Sequence, residues 1–373
     1  MPGITYDIVP EPDSRRRLEN WNTAIGLQAV DGLAPSEKLL ELAREHIAGK
    51  HAIDDVDYQL KAYYADLSTK GITAPYRQIE ADIVSANIER LLETDSFTLS
   101  GTSLKSIHQA LFRGFDEYTP GEYRMYDFTK AEWVLNENTV TYEHWEFLEE
   151  EIIALINDEK SGFYADLNET EKLNRLTSFI SELWLYHAFR EGNTRAIALL
   201  AIKYLRSIGY TLNNEPFEKH SLYFRNALVR ANYRNEGIRV YPTNEYLLLF
   251  FGNVLFGERN ELKNRRLHIY WDEEHQDFSN HDESGKVAIV GGTVNGTVNG
   301  TVNGTVNAAD SNTTKDAIVG ALADNPSLSY DDLAGIVGKS RRTVARILNE
   351  LRESGTLQRI GSDKAGYWVV NKD

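Results

Sequence analysis

Leu173, Leu176, Phe179, Ile180, Leu183 and Trp184 recur at steps of three and four residues, the spacing that lines apolar side chains along one face of an α-helix. Further on the pattern changes. From Ala196 to Leu205 the chain is apolar on nearly every side until Ser207 and Gly209, which predicts a helix buried at a domain centre and stopped at that glycine. Between the two helices stands HAFREGNTR, residues 187–195, with a histidine, a carboxylate, an asparagine, two arginines and a glycine in nine positions. That string is too polar for a core helix, so it predicts a loop feeding a helix. Near the C-terminus TKDAIVGALADN, SYDDLAGIVG and SRRTVARILNELRESG read as three short helices, followed by two strands in LQRIGSDKAGYWVV. The expected fold class is therefore mainly α, with a small α+β unit at the end.

The periodic pattern breaks between these parts. GTVNGTVNGTVNGTVN, residues 292–307, has too little bulk to build a core. As a flexible Gly-rich coil it would span about 20–25 Å, and its Val and Thr would also let it lie down as an edge strand. Its Asn-Gly-Thr sequons are expected to be empty without a secretory signal. The acidic stretch WDEEHQDFSNHDESG ahead of it extends the unstructured region to 271–312, and a solvated tail is favoured there over metal binding.

Composition narrows the class. The chain has 373 residues, 42% hydrophobic and 11% aromatic, enough for more than one domain. With no cysteine it has neither disulfides nor thiolate metal sites, which fits a reducing cytoplasm, the expected location. No run of about 18 apolar residues predicts a membrane span. A net charge of −16 excludes broad adhesion to nucleic acid or anionic membrane, so any basic site is local.

The polar string has the makings of an anion site. A helix N-terminus offers unpaired N–H groups and the positive end of the helix dipole, and Gly192 lets the backbone approach an anion closely. Asn193 can hydrogen-bond a phosphate, Arg195 can grip one bidentately, and Glu191 is a hard oxygen ligand suited to Mg²⁺. His187, with a near-neutral pKa, suits a general base for a hydroxyl. Phe189 would anchor the loop. Singly each has a plainer reading as a helix-end histidine, a solvated carboxylate or a surface arginine.

Together the nine residues resemble the signature H-x-F-x-[D/E]-G-N-x-R of the Fic family. The segments SIHQALFRGFDEYTPGEYR (106–124), KAEWVLNENTVTY (130–142) and 227–269 also look like parts of bacterial Fic proteins, so the resemblance covers roughly residues 80–270. It implies a helical Fic fold with a small β-hairpin flap, and a protein adenylyltransferase that moves AMP from ATP, with Mg²⁺, to a Tyr, Thr or Ser hydroxyl and releases pyrophosphate. His187 would then take the hydroxyl proton and Glu191 hold Mg²⁺. Gly192, Asn193, Thr194 and Arg195 would hold the phosphates, Trp133, Val134, Leu135 and Asn136 would form the flap that registers the target by strand addition, and Asn232 would contact the nucleoside.

Two departures stand out. Ala198 occupies the place of a second arginine, removing a habitual γ-phosphate partner, and Thr194 replaces a common glycine. The family's inhibitory helix motif, [S/T]-x-x-x-E-[G/N], is approached by Ser85 and Glu89 in SANIER, with Arg90 breaking its last position. Without the second arginine, Glu89 is expected either to act as an altered brake or to pair with Arg195.

The resulting layout is a helical region at 1–79, a Fic domain at 80–270 with the inhibitory-helix candidate at 80–95, a linker at 271–312, and at 313–373 a domain that resembles a winged helix-turn-helix. Lys339, Arg341, Arg342 and Arg346 put four positive charges into eight residues of its recognition-helix candidate, suited to DNA phosphates and the major groove. A protein-binding winged helix is the plainer alternative. Expected partners are a protein with an accessible hydroxyl, the chain itself through auto-modification, DNA through the C-terminal domain, and a second copy in a homodimer. A transcriptional regulator with a degenerate Fic core and an AMP-removing enzyme remain as other function classes.

Overall fold

The computed structural model describes residues 12–162 and 164–271, and in the C-terminal part 310–326, 328–337, 344, 347, 348, 351, 352, 354–360 and 367–371. Two compact units divide at Val290 and Gly291. The first is all-helical among its described residues. α1 (Pro12–Gly26), α2 (Glu37–Ile47), α3 (Ile53–Thr69) and α4 (Tyr76–Glu93) precede α5 (Ser103–Leu111), α6 (Leu148–Ser161), α7 (Glu169–Leu185), α8 (Asn193–Ser207), α9 (Glu215–Lys219), α10 (Ser221–Asn232) and α11 (Glu245–Phe256). One core joins them all, and a border at residue 80 would fall inside α4.

The apolar patterns are realised as burial. On α7, Leu176, Phe179, Ile180, Leu183 and Trp184 are buried and Leu173 packs against the same core. A capping box starts this helix: the Asn168 side chain accepts from the Glu171 N–H at 2.9 Å, and the Glu171 carboxylate accepts from the Asn168 N–H at 2.8 Å. α8 is buried along its length from Asn193 to Leu205. Its one lysine, Lys203, spends its charge on the C-terminal end of α4, donating to Leu91 O at 2.7 Å and Thr94 O at 2.8 Å. α8 packs against both α5 and α7.

In the second unit, α12 (Asp310–Asp324) and α13 (Tyr330–Val337) are followed by β1 (Leu357–Ile360), paired antiparallel with β2 (Tyr367–Val370) in the register Leu357 to Val370. Val344, Ile347, Leu348 and Leu351 repeat at helical steps and are buried with Ile318, Leu322, Leu333, Leu357 and Trp368. Helices followed by a two-stranded wing match the expected fold class. The flap stretch, however, is not a pair of strands. A single bridge, Glu132 to Asn138, closes a 3-10 turn at Trp133–Leu135. The reason is packing: Val134 and Leu135 are fully buried, and the Val134 carbonyl accepts from the Ile269 N–H at 2.9 Å.

Candidate active site

The loop between α7 and α8 is pinned from three sides. Arg124, buried, donates from Nε to His187 O at 2.9 Å, from Nη2 to Tyr186 O at 3.2 Å and also to Glu143 O, while its own N–H donates to Ala188 O at 2.8 Å. Asn193 closes the loop on itself: Oδ1 accepts from the Phe189 N–H at 2.8 Å and Nδ2 donates to Phe189 O at 2.7 Å. His108 holds the far end. The Gly121 N–H donates to its Nδ1 at 3.0 Å, so its Nε2 carries the proton and donates to Glu191 O at 3.0 Å, with the ring stacked on Phe189 at 3.8 Å. Burial lowers the His108 pKa to about 4, which keeps this arrangement neutral and fixed.

Gly192 is the turn into α8, with φ at 71°, and a Cβ there would stand 2.0 Å from the Phe112 ring. Both facts require glycine. The first N–H groups of α8 beyond it have no acceptor within the helix, so the helix start foreseen from the sequence is in place.

His187 itself has φ at 43°, an uncommon conformation for a non-glycine residue. Its ring stacks on Tyr142 at 4.1 Å and meets Trp184 and Phe128 at 5.2 and 5.4 Å between centroids. Burial, then the charges of Lys130, Arg124 and Arg225, hold its pKa well below the usual histidine value. The imidazole is therefore neutral at pH 7 and able to accept a proton. Its Nδ1 is buried with no hydrogen-bond partner.

The acid and the arginine of the string are engaged with each other. Glu191 Oε1 accepts from the Gly192 N–H at 2.8 Å and lies 3.5 Å from Arg195 Nη2. Burial and the nearby Asp31 raise its pKa, against the pull of Arg195 and Lys130. Arg195 is wholly buried over the Phe112 ring: Nε lies within ion-pair distance of Asp31 Oδ2 at 3.0 Å, Nη1 donates to Gln28 Oε1 at 3.0 Å, and Nη2 donates to Glu80 Oε1 at 2.9 Å. Tyr118 braces Glu80 by donating to its other oxygen at 3.0 Å. Burial alone would push Asp31 up, but Arg195, then Lys130 and Arg225, win and hold it down. Thus Asp31, Glu80 and Glu191 cage the guanidinium expected to grip phosphate.

Several expected ligands stand elsewhere or are already occupied. Asn193 spends both ends of its amide within the loop. Thr194 accepts from Trp184 Nε1 at 3.0 Å rather than facing outward. Asn232 ties α10 to α7, donating to Ser181 O at 3.2 Å and Leu228 O at 2.9 Å. Val134 and Leu135 lie in the core, whereas Asn136, with φ at 52°, is exposed on the turn. Ala198 is buried one turn past Arg195. Lys339, Arg341, Arg342 and Arg346 lie outside the described residues.

Glu89 does not reach Arg195. Helix geometry explains the difference, since at about 100° per residue two positions nine apart point in opposite directions, and α4 turns Glu80 toward Arg195. Glu89 and Ser85 are instead fully buried, with Glu89 beside His46, whose Nε2 lies 3.2 Å from Glu93 Oε1 and whose Nδ1 accepts from Trp21 Nε1 at 3.0 Å. Neither Glu89 oxygen has a hydrogen-bond partner. Burial pushes its carboxyl up to about 8 and lowers His46 to about 4.

These two shifts give a pH dependence. Glu89, with its folded pKa raised, supports the fold fully below its ordinary value of 4.5 and loses that support as pH rises through about 8. His46, with its folded pKa lowered, loses support in the opposite direction, as pH falls from 6.5 toward 4. Above pH 6.5 only the Glu89 loss remains of the two. Between pH 6.5 and 8 it amounts to about 2 kcal/mol, one proton's worth. Glu89→Gln is therefore expected to flatten the alkaline decline of the melting temperature. Equal slopes in mutant and wild type would show that Glu89 is already ionised in its pocket.

Comparison with known families agrees with this layout. Residues 98–205 match the Fic/DOC family and residues 312–358 a winged helix-turn-helix DNA-binding family. No curated protein matches the chain. The chain thus carries a Fic/DOC domain, of a transferase-type family in which AMP transfer is frequent, and a C-terminal winged helix-turn-helix domain whose type suggests DNA binding. No helix among the described residues is long and apolar enough to cross a membrane.

Proposed function

We propose that the Fic/DOC domain is a protein adenylyltransferase held in a closed resting state by Asp31 and Glu80. The observation that carries this reading is His187: a neutral, buried imidazole set by its own unusual backbone and by Arg124 at the mouth of the α8 N-terminus. In the transfer, the hydroxyl oxygen of a target Tyr, Thr or Ser attacks the α-phosphorus of ATP as His187 accepts the hydroxyl proton. The bond from the α-phosphorus to the bridging oxygen breaks, and pyrophosphate leaves with the electron pair. The α8 N–H groups and Arg195 oppose the charge gathered on the phosphates.

ATP meets Arg195 only after the two N-terminal acids have left it, since the guanidinium is wholly buried with Asp31 and Glu80 at 3.0 and 2.9 Å. Glu191 fits Mg²⁺ as a carboxylate ligand, because Oε1 alone is committed to the Gly192 N–H and Arg195; the ion would supply charge neutralisation to the phosphates. ATP labelled at the α-phosphate, incubated with the chain, Mg²⁺ and a lysate, is expected to leave label on protein, and ATP labelled at the γ-phosphate is not. Label retained from the γ position alone would mean phosphoryl rather than adenylyl transfer.

We infer that the winged helix places this domain on DNA. Lys339, Arg341, Arg342 and Arg346 carry that reading as a basic run in a chain of net charge −16. If they meet phosphates, Arg341→Gln with Arg342→Gln is expected to flatten the plot of log K against log salt by nearly two, at about 0.9 per contact. Absent or salt-independent binding of mixed-sequence duplex would assign the winged helix to a protein partner.

A further inference from the structure

We propose that Lys130 is a phosphate-binding residue of this site, the second cation for a polyphosphate held at the N-terminus of α8. The inference rests on the nucleotide-transfer reading and adds a residue to it. The cations whose charge acts on His187 are Lys130, Arg124 and Arg225, and Arg195 stands by Glu191; all but Lys130 are committed. Arg124 is spent on backbone carbonyls and Asp127, Arg195 on its acid cage, and Arg225 on a bidentate pair with Glu132 at 2.6 and 2.8 Å. Lys130 is half-buried and has no carboxylate within ion-pair distance among the described residues.

Its position follows from the segment that carries it. The Lys130 N–H donates to Thr139 Oγ1 at 3.1 Å, and two residues further on the single Glu132–Asn138 bridge holds the segment, with the Glu132 N–H donating to Asn138 O at 2.9 Å. Phe128 lies against the His187 ring and Glu132 holds Arg225, so Lys130, midway between them in the chain, is carried beside the site. Its charge acts on three groups there. It is the strongest of the neighbouring charges on His187, and on both Asp31 and Glu191 it ranks directly after Arg195 among the cations.

A polyphosphate at this helix end brings several negative charges to a place where Ala198 offers none. An ammonium on a flexible stem, already partly desolvated and without a partner, gains a charge-assisted contact there and displaces no existing one. Lys130 also stands beside the general base, where a cation discourages protonation of the imidazole before the target arrives.

Calorimetry on the full-length chain tests this with tripolyphosphate, ATP and adenosine as probes. It is run for the wild type, Lys130→Ala and Lys130→Arg, each also in an Asp31→Asn, Glu80→Gln background that frees Arg195. Lys130→Ala is expected to weaken tripolyphosphate and ATP about tenfold and leave adenosine unchanged. Lys130→Arg should keep most of the affinity, and melting temperatures should stay together because Lys130 breaks no ion pair. Equal polyphosphate affinity for Lys130→Ala and wild type would overturn the Lys130 assignment and leave the transfer reading standing. Failure of every chain, including the opened background, to bind any polyphosphate would overturn both.

Discussion

Asp31→Asn together with Glu80→Gln is expected to raise ATP affinity and AMP transfer at least about tenfold, equivalent to roughly 1.4 kcal/mol or more. In the resting chain a phosphate has to displace two carboxylates that hold Arg195 at 3.0 and 2.9 Å from within the same molecule. Removing both charges keeps the side-chain volumes and ends that competition. The same substitution lowers the melting temperature, because a buried guanidinium loses its compensating charges while Glu191 alone remains paired to it. Opposite movements of activity and stability distinguish a cage from a binding element. If transfer falls along with stability, Asp31 and Glu80 build the site rather than close it. Glu89→Gln serves as the control and should leave transfer unchanged, since Glu89 lies on the other face of α4.

His187→Asn is expected to lower transfer by about two to four orders of magnitude, the usual worth of a positioned general base. Asparagine is chosen because it tolerates the left-handed backbone seen at φ 43° better than most residues, so the loop should keep its course. ATP affinity should stay within a small factor, since the imidazole acts on the target hydroxyl rather than on the phosphates. A parallel loss of affinity and rate would instead place His187 among the nucleotide ligands. The lowered pKa adds a sign: because the imidazole is already neutral well below pH 6.5, transfer should not fall as pH drops from 7 to 6 through protonation of this group.

The sequence made the frame of the site legible because local periodicity and a short dense string carry it. The stripe from Leu173 to Trp184 and the apolar run of α8 are written in consecutive residues, and so is the loop that has to lie between them. Gly192 could be read from its neighbours as the turn into a helix, and its clash with Phe112 adds a tertiary reason that spacing does not show. The partners of Arg195 were not legible. Gln28 and Glu80 are 167 and 115 positions away in sequence and carry no motif. Ser85 and Glu89 lie on α4, but it is Glu80 on its opposite face that meets Arg195, because a four-residue spacing says which residues share a face and not what that face meets. For Asn193 the residue type was equally silent: its amide can serve a phosphate or its own loop, and in the structure it bonds Phe189 at 2.8 and 2.7 Å. His108 and Lys130 had no signal beyond their residue type, and both gained meaning only from the groups around them.

The central claim is that His187 drives adenylyl transfer from a site that Asp31 and Glu80 keep shut. One measurement addresses both halves: the intact mass and α-phosphate label of the full-length chain after incubation with ATP, Mg²⁺ and a lysate. It compares the wild type, the Asp31→Asn, Glu80→Gln chain and the same opened chain with His187→Asn. The account predicts weak labelling of protein by the wild type, strong labelling by the opened chain, and its loss when His187 is replaced. Equal labelling by the opened chains with and without His187, or none by either while ATP remains bound, would contradict it.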